Sequence, residues 1–163
     1  MTPPSTPTSR PLYKAVGLDP GGTTGWAIWR RLQPHSTRPA FECGQIGPTE
    51  HHMRLYRFLM QEDPDVVIYE GFWYRPHLPN AELISNEYIG VIRLWAKEHQ
   101  KFCIKQPVFK NGNSFVKDQL LERMALWSPG RPHAMDAYRQ LINYLVTRQG
   151  MTGLIPPKEN RGA

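Results

Sequence analysis

A chain of 163 residues holds one domain with a substantial core and leaves little room for a second. Hydrophobic residues make up 40% and charged residues 21%, an ordinary globular balance; no apolar run approaches the ~18 residues needed to cross a bilayer, and no signal-like segment opens the chain, so a cytoplasmic protein is expected. The net charge of +6 is unevenly spread, with ten basic and ten acidic residues in 1–100 against ten basic and four acidic in 101–163, which points to a polyanionic partner, nucleic acid before anionic membrane.

Residues 1–12 are rich in Pro, Ser and Thr without periodicity and are expected as a disordered tail. Tyr13–Leu18 is a short apolar run that ends in Asp19-Pro20-Gly21-Gly22. Thr24–Arg30 follows in strand-forming residues, and the intervening Gly-Gly predicts a hairpin. A third strand is expected over Ala40–Ile46. Pro48 then opens a helix whose face is predicted from the spacing of Met53, Tyr56, Leu59 and Met60, and Pro64 ends it. Asp65–Tyr69 is continuous, apolar and β-branched, as suits a strand covered on both faces. A long helix is expected over 82–98, on which Ile84, Tyr88, Val91, Ile92 and Trp95 share a side. Phe102–Lys105 reads as a fifth strand, and Phe115–Trp127 and His133–Val146 as helices parted by Ser128-Pro129-Gly130. Residues 151–163 are expected as a flexible C-terminal tail. Cys43 and Cys103 are too few for a disulfide framework or a thiolate zinc site and read as small buried hydrophobes.

The order β-β-β-α-β-α-β-α-α defines an α/β protein. It predicts a ribonuclease H-like fold over 13–150: a five-stranded mixed sheet, its first three strands antiparallel, flanked by helices.

Three carboxylates take corresponding places in that scheme. Asp19 ends the first strand, Glu70 ends the fourth, and Asp136 lies in the first turn of the last helix. Parallel neighbouring strands bring their carboxyl ends to one sheet edge, where active sites of open α/β sheets collect. Carboxylates gathered there repel one another unless a cation neutralises them, and hard oxygen donors suit Mg²⁺ or Mn²⁺. Two such ions would stabilise the attacking and leaving oxygens of a phosphodiester cleavage. His133, three residues before Asp136, is a candidate fourth ligand or a proton carrier for the attacking water. Each residue also has a plain reading: Asp19 as a turn residue, Glu70 as a strand end, Asp136 as a solvated first-turn acid.

The run Gly17-Leu18-Asp19-Pro20-Gly21-Gly22-Thr23-Thr24-Gly25-Trp26-Ala27 resembles the first-strand motif of RuvC-like Holliday junction resolvases. Val67-Ile68-Tyr69-Glu70 is similar to their second acidic motif, and His133-Ala134-Met135-Asp136-Ala137 to their C-terminal one. The resemblance covers roughly 14–148 and is strongest to compact bacteriophage-type resolvases. It implies a homodimer that binds a four-way DNA junction and nicks it with Mg²⁺ or Mn²⁺, in recombination, replication or packaging. His133 stands where many members carry a carboxylate, and Asn113-Ser114-Phe115 departs from the small-residue approach to the family's lysine, matched here by Lys117.

The resemblance also implies an aromatic stacking at the opened junction shortly after the second acid, which Trp73 or Phe72 matches. Three consecutive rings cannot all face a core from a loop, so Trp73 or Tyr74 is expected at the surface. With Arg75, these residues are assigned to DNA. Lys105, Lys110, Lys117 and Arg131 are assigned to phosphates, and Lys117 also to charge stabilisation near the scissile phosphate. The apolar surface of 82–98 is wider than one sheet contact needs, and fits either a dimer interface or a helix sandwiched between the sheet and the last helix pair. An endonuclease acting on branched DNA is the leading reading. A ribonuclease acting on RNA or an RNA–DNA hybrid, and a catalytically silent nucleic-acid-binding module, are the alternatives.

Overall fold

The computed structural model describes residues 11–71, 79–107 and 114–157. Strands β1 (Lys14–Asp19), β2 (Thr24–Arg30) and β3 (Phe41–Ile46) are followed by helix α1 (His51–Glu62) and strand β4 (Val66–Glu70). Helix α2 (Pro79–Glu98), strand β5 (Phe102–Gln106) and helices α3 (Asp118–Arg123) and α4 (Pro132–Thr147) complete the order, with a short 3-10 turn at Thr152–Leu154. The sheet runs β3-β2-β1-β4-β5. Its first three strands are antiparallel, and β4 lies parallel to both β1 and β5. This is the mixed five-stranded architecture expected from the sequence.

Strand alternation sends successive side chains to opposite faces, and it divides the core in two. Ala15, Ala27, Trp29, Val66 and Ile68 face α3 and α4, where they meet Leu121, Met135, Leu141 and Leu145. Val16, Leu18, Ile28, Val67 and Tyr69 face the other way, onto Leu55 and Leu59 of α1 and Tyr88, Ile92 and Trp95 of α2. Helices α2 and α4 therefore lie on opposite faces. The sandwich of α2 between the sheet and the last helix pair does not form, and Leu83 and Leu94 stand 61% and 54% exposed.

The phase of α1 also differs from the spacing argument. Its buried positions are His51, Leu55, Leu59 and Glu62, while Met53 and Met60 are 53% and 46% exposed. The helix is turned by two polar anchors. At one end Glu62 accepts hydrogen bonds from Arg30 of β2 (2.8 Å) and Lys14 of β1 (3.4 Å). At the other, the His51 ring stacks on Tyr88, with centroids 3.7 Å apart.

The expected helix over 115–127 shrinks to six residues. Before it, the Ser114 hydroxyl accepts the Val116 N–H (3.1 Å) and holds the chain in a turn, a local bond that competes with the helix. After it, Ala125 turns to φ 57°, and the Leu126 N–H reaches back to the Leu121 carbonyl (2.8 Å), a left-handed stop. The C-terminal stretch expected as a tail from 151 is packed at its start: Met151, Leu154 and Ile155 touch the α4-side core, and Arg123 holds the Pro156 and Pro157 carbonyls. Both cysteines are free and half-buried rather than fully enclosed. No helix among the described residues is long and apolar enough to cross a membrane.

Candidate active site

The parallel pairing of β1 with β4 puts Leu18 opposite Tyr69, so the next residues, Asp19 and Glu70, leave the sheet side by side. By alternation both continue the series that faces α4: Ala15, Gly17, Asp19 on β1 and Val66, Ile68, Glu70 on β4. Helix α4 comes to them because the sheet carries no side chain where it crosses. A Cβ on Gly25 would stand 1.9 Å from the His133 carbonyl oxygen, and one on Gly17 would stand 2.5 Å from that of Ala137. Gly25 is the register partner of Asp19. The first turn of α4 is thus seated directly beside the end of β1.

The result is a line of polar side chains along one edge. His133 Nδ1 is 2.9 Å from Asp19 Oδ2. An ionised Asp19 only accepts, so Nδ1 carries the proton and Nε2 remains for a second contact. One turn on, Asp136 is ion-paired with Arg139, which also grips Asp118 at the start of α3. A further turn on, Gln140 Nε2 donates to Glu70 Oε2 (3.3 Å), and Gln106, the register partner of Glu70, donates to the Gln140 carbonyl (3.2 Å).

Electrostatics at this edge are frustrated. Burial raises the Asp19 carboxyl above its ordinary value of 3.8; the hydrogen bond from His133 opposes that shift, and the Asp136 carboxylate adds to it. The side-chain oxygens of Gln140 and Gln106 are buried with no hydrogen-bond partner among the described residues. The donors of Asp19, Glu70, Asp136 and His133 thus have the oxygen-rich chemistry that a hard divalent cation takes, with an imidazole beside them. As the side chains stand, Asp136 turns to Arg139 and Glu70 to Gln140. Among the described residues no three His, Cys, Asp or Glu side chains converge in a ready-made ion cage.

Lys117 is exposed and sits immediately before α3, next to the Asp118 that Arg139 holds. Lys105 is exposed on β5 and its aliphatic stem passes over Gly71, the residue after Glu70. Arg131 is exposed directly before α4. These three cations flank the acidic edge. Trp73, Tyr74, Arg75 and Lys110 lie outside the described residues.

Sequence reasoning missed Gln140, Arg139 and Asp118, and the part played by Gly17 and Gly25. Gln140 left a trace: a polar residue inside the apolar stripe of α4, four residues after Asp136. The Arg139–Asp118 contact left none, since it joins two helices across a break.

This strand order, with its helices divided between two faces, is the ribonuclease H-like fold. No family model matches the chain, and no curated protein matches it in sequence. Among solved structures, it is similar to RuvC of Thermus thermophilus in complex with a Holliday junction substrate, at 19% identity and a TM-score of 0.58, over 85% of this chain and 96% of that one. A second Thermus thermophilus RuvC structure matches at 18% and 0.57, over 84% of this chain and 96% of that one. The Fowlpox virus resolvase, solved with Holliday junction DNA, matches at 18% and 0.49, over 78% of this chain and 87% of that one. The chain shares the fold of the two Thermus thermophilus RuvC structures over 96% of their length.

Proposed function

We propose that this protein is a metal-dependent, structure-selective endonuclease that hydrolyses phosphodiesters in branched DNA, a four-way junction above all, acting as a homodimer in the cytoplasm. One observation carries the reading: Asp19 and Glu70 from two parallel strands and His133 and Asp136 from one helix gather at a single sheet edge. That a structural neighbour, RuvC of Thermus thermophilus, is solved in complex with a Holliday junction substrate adds to it.

Asp19, Glu70 and Asp136, with His133 through its free Nε2, would hold Mg²⁺ or Mn²⁺. Bound there, the ions would neutralise the carboxylates and supply Lewis acidity at the scissile phosphate. The rest falls to the chain's own groups. Where His133 is not a ligand, its Nε2, left unprotonated by the Nδ1 contact with Asp19, takes a proton from the attacking water instead; one lone pair does not serve both roles. Gln140 holds the Glu70 carboxylate in its rotamer. Lys105, Lys117 and Arg131 bind backbone phosphates, fixing the register of the duplex without reading sequence. Lys117 also offsets charge that develops at the phosphate. Trp73, Tyr74 and Arg75 are assigned to the opened centre of the junction, and Lys110 to a phosphate.

The test is cleavage of a labelled synthetic four-way junction with Mg²⁺ or Mn²⁺, beside flap, RNA–DNA hybrid and single-stranded substrates. The wild type should nick the junction preferentially. Asp19→Asn should lose at least about a thousandfold in rate while junction affinity stays within a few-fold. Equal cutting by Asp19→Asn would refute the assignment, and preferential hybrid cleavage would move the protein to the ribonuclease reading.

A further inference from the structure

We propose that His51 is a positioning residue for the acidic edge, tethering through Thr24 the Gly21–Gly22 turn that joins Asp19 to β2. The inference rests on the function proposed above and adds a residue packed on the opposite face of the sheet, 2% exposed.

The tether follows from hydrogen-bond accounting. His51 Nε2 lies 2.7 Å from the hydroxyl of Thr24, which is fully buried. The same hydroxyl lies 3.3 Å from the Gly21 carbonyl oxygen and 3.5 Å from the Gly21 nitrogen. His51 Nδ1 is buried with no partner among the described residues. A proton there would be a buried donor without an acceptor, the costlier of the two tautomers. With the proton on Nε2, His51 donates to Thr24 Oγ1, whose O–H donates to the Gly21 carbonyl, and the Gly22 backbone also bonds to the ring, so both glycines of the turn are reached.

Both ends of this chain are anchored. The imidazole belongs to the first residue of α1 and lies nearly parallel to the Tyr88 ring of α2, at 11° and 3.7 Å between centroids. Its burial first, then the neighbouring His52 and the nearby Arg54, hold its pKa down at about 4 against a hydrogen bond with the Gly22 backbone that raises it, so the neutral ring persists at working pH. At the other end lie two adjacent glycines, the softest backbone in the sequence, between Asp19 and its register partner Gly25. The Asp19 carboxylate is usable only if the chain leaving it holds one path. With no side chains of its own to pin it, that turn takes its shape from Thr24 and His51.

Two variants separate the tether from simple space filling. His51→Phe keeps a ring against Tyr88 without its nitrogens, and Thr24→Val keeps the volume without the hydroxyl. In each, amide hydrogen exchange at Gly21, Gly22 and Thr23 should speed up by about tenfold or more while amides in β1 and β4 keep their rates. Turnover at saturating junction should fall about ten- to a hundredfold, with KM and junction Kd within about twofold, since a misplaced group of ~1 Å acts on chemistry rather than binding. The double variant should lose no more than either single one. His51→Gln, whose amide N–H can reach Thr24, should recover part of the rate. Unchanged exchange in both variants overturns the tether, and quickened exchange with unchanged turnover overturns its link to the edge. A wild type that cuts no junction refutes the function proposed above and leaves the exchange result to decide on the tether alone.

Discussion

At Asp19 two demands conflict. The carboxylate is partly buried and feels the charge of Asp136, and burial above all holds its pKa above the ordinary 3.8. A folded-state pKa above the unfolded one favours the fold fully only below the unfolded pKa, and that contribution is lost as pH rises through the folded value. At neutral pH without divalent cation, Asp19 therefore destabilises the fold. Asp19→Asn should raise the thermal midpoint at pH 7 in a metal-free buffer while abolishing cutting, which scanning calorimetry and the junction assay measure together. His51 behaves in the opposite sense. Its pKa falls from 6.5 to about 4, through burial first and then the neighbouring His52 and Arg54, against a hydrogen bond with the Gly22 backbone. Its contribution to stability is complete above pH 6.5 and is withdrawn as pH falls toward 4, up to about 3 kcal/mol in all. Urea melts at pH 7 and pH 4.5 should show this loss in the wild type, and a shallower one in His51→Phe.

Among the elements, α1 shows where hydrophobic spacing runs out. Apolar periodicity located the helix but set its phase by Met53 and Met60, because methionine reads as core. The actual phase is fixed by Glu62. Burial alone would raise the Glu62 carboxyl, yet the Arg30 guanidinium and the Lys14 ammonium win and hold it below the usual carboxylate range. Arg30 and Glu62 are both nearly enclosed, and each keeps a second ion partner, Glu42 for Arg30 and Lys14 for Glu62. Glu62→Gln should cost about 2 kcal/mol, read by denaturant unfolding at pH 7, where the ion pair is fully formed; Arg30 keeps Glu42, so the loss is that of a charged hydrogen bond. A pairing between β1, β2 and α1 cannot be seen in local sequence. The strands were legible because their apolar runs are short, β-branched and bounded by Gly or Pro. So was the placing of Asp19 and Glu70, each directly following such a run. The short α3 was not, since a serine side chain and a left-handed alanine decide its ends. Gln140 was hidden by the assumption that a buried stripe is uniformly apolar.

For the whole molecule, charge and exposed apolar surface lead to two expectations. Lys105, Lys117 and Arg131 flank the acidic edge in the basic half of the chain. Neutralising Arg131 or Lys105 should reduce the slope of log Kd against log salt for junction DNA by about 1 each, with little change in cleavage-site preference. Equal slopes would remove those residues from the interface. Leu83 and Leu94 lie exposed on α2, on the face opposite α4. If they form the dimer contact, light scattering at micromolar concentration should report twice the chain mass for the wild type and a single chain for a Leu83→Lys, Leu94→Lys variant. A monomeric wild type would sink the dimer.

The bare backbone at Gly17 and Gly25 makes this protein lopsided in what change it tolerates. Where α4 rests on those two residues, even a methyl group has nowhere to go without prying the helix, with His133 and Asp136, away from the sheet. Variation that retunes the protein, in nature or by design, is therefore channelled to the opposite layer and to the cationic rim, while this seam stays closed to it.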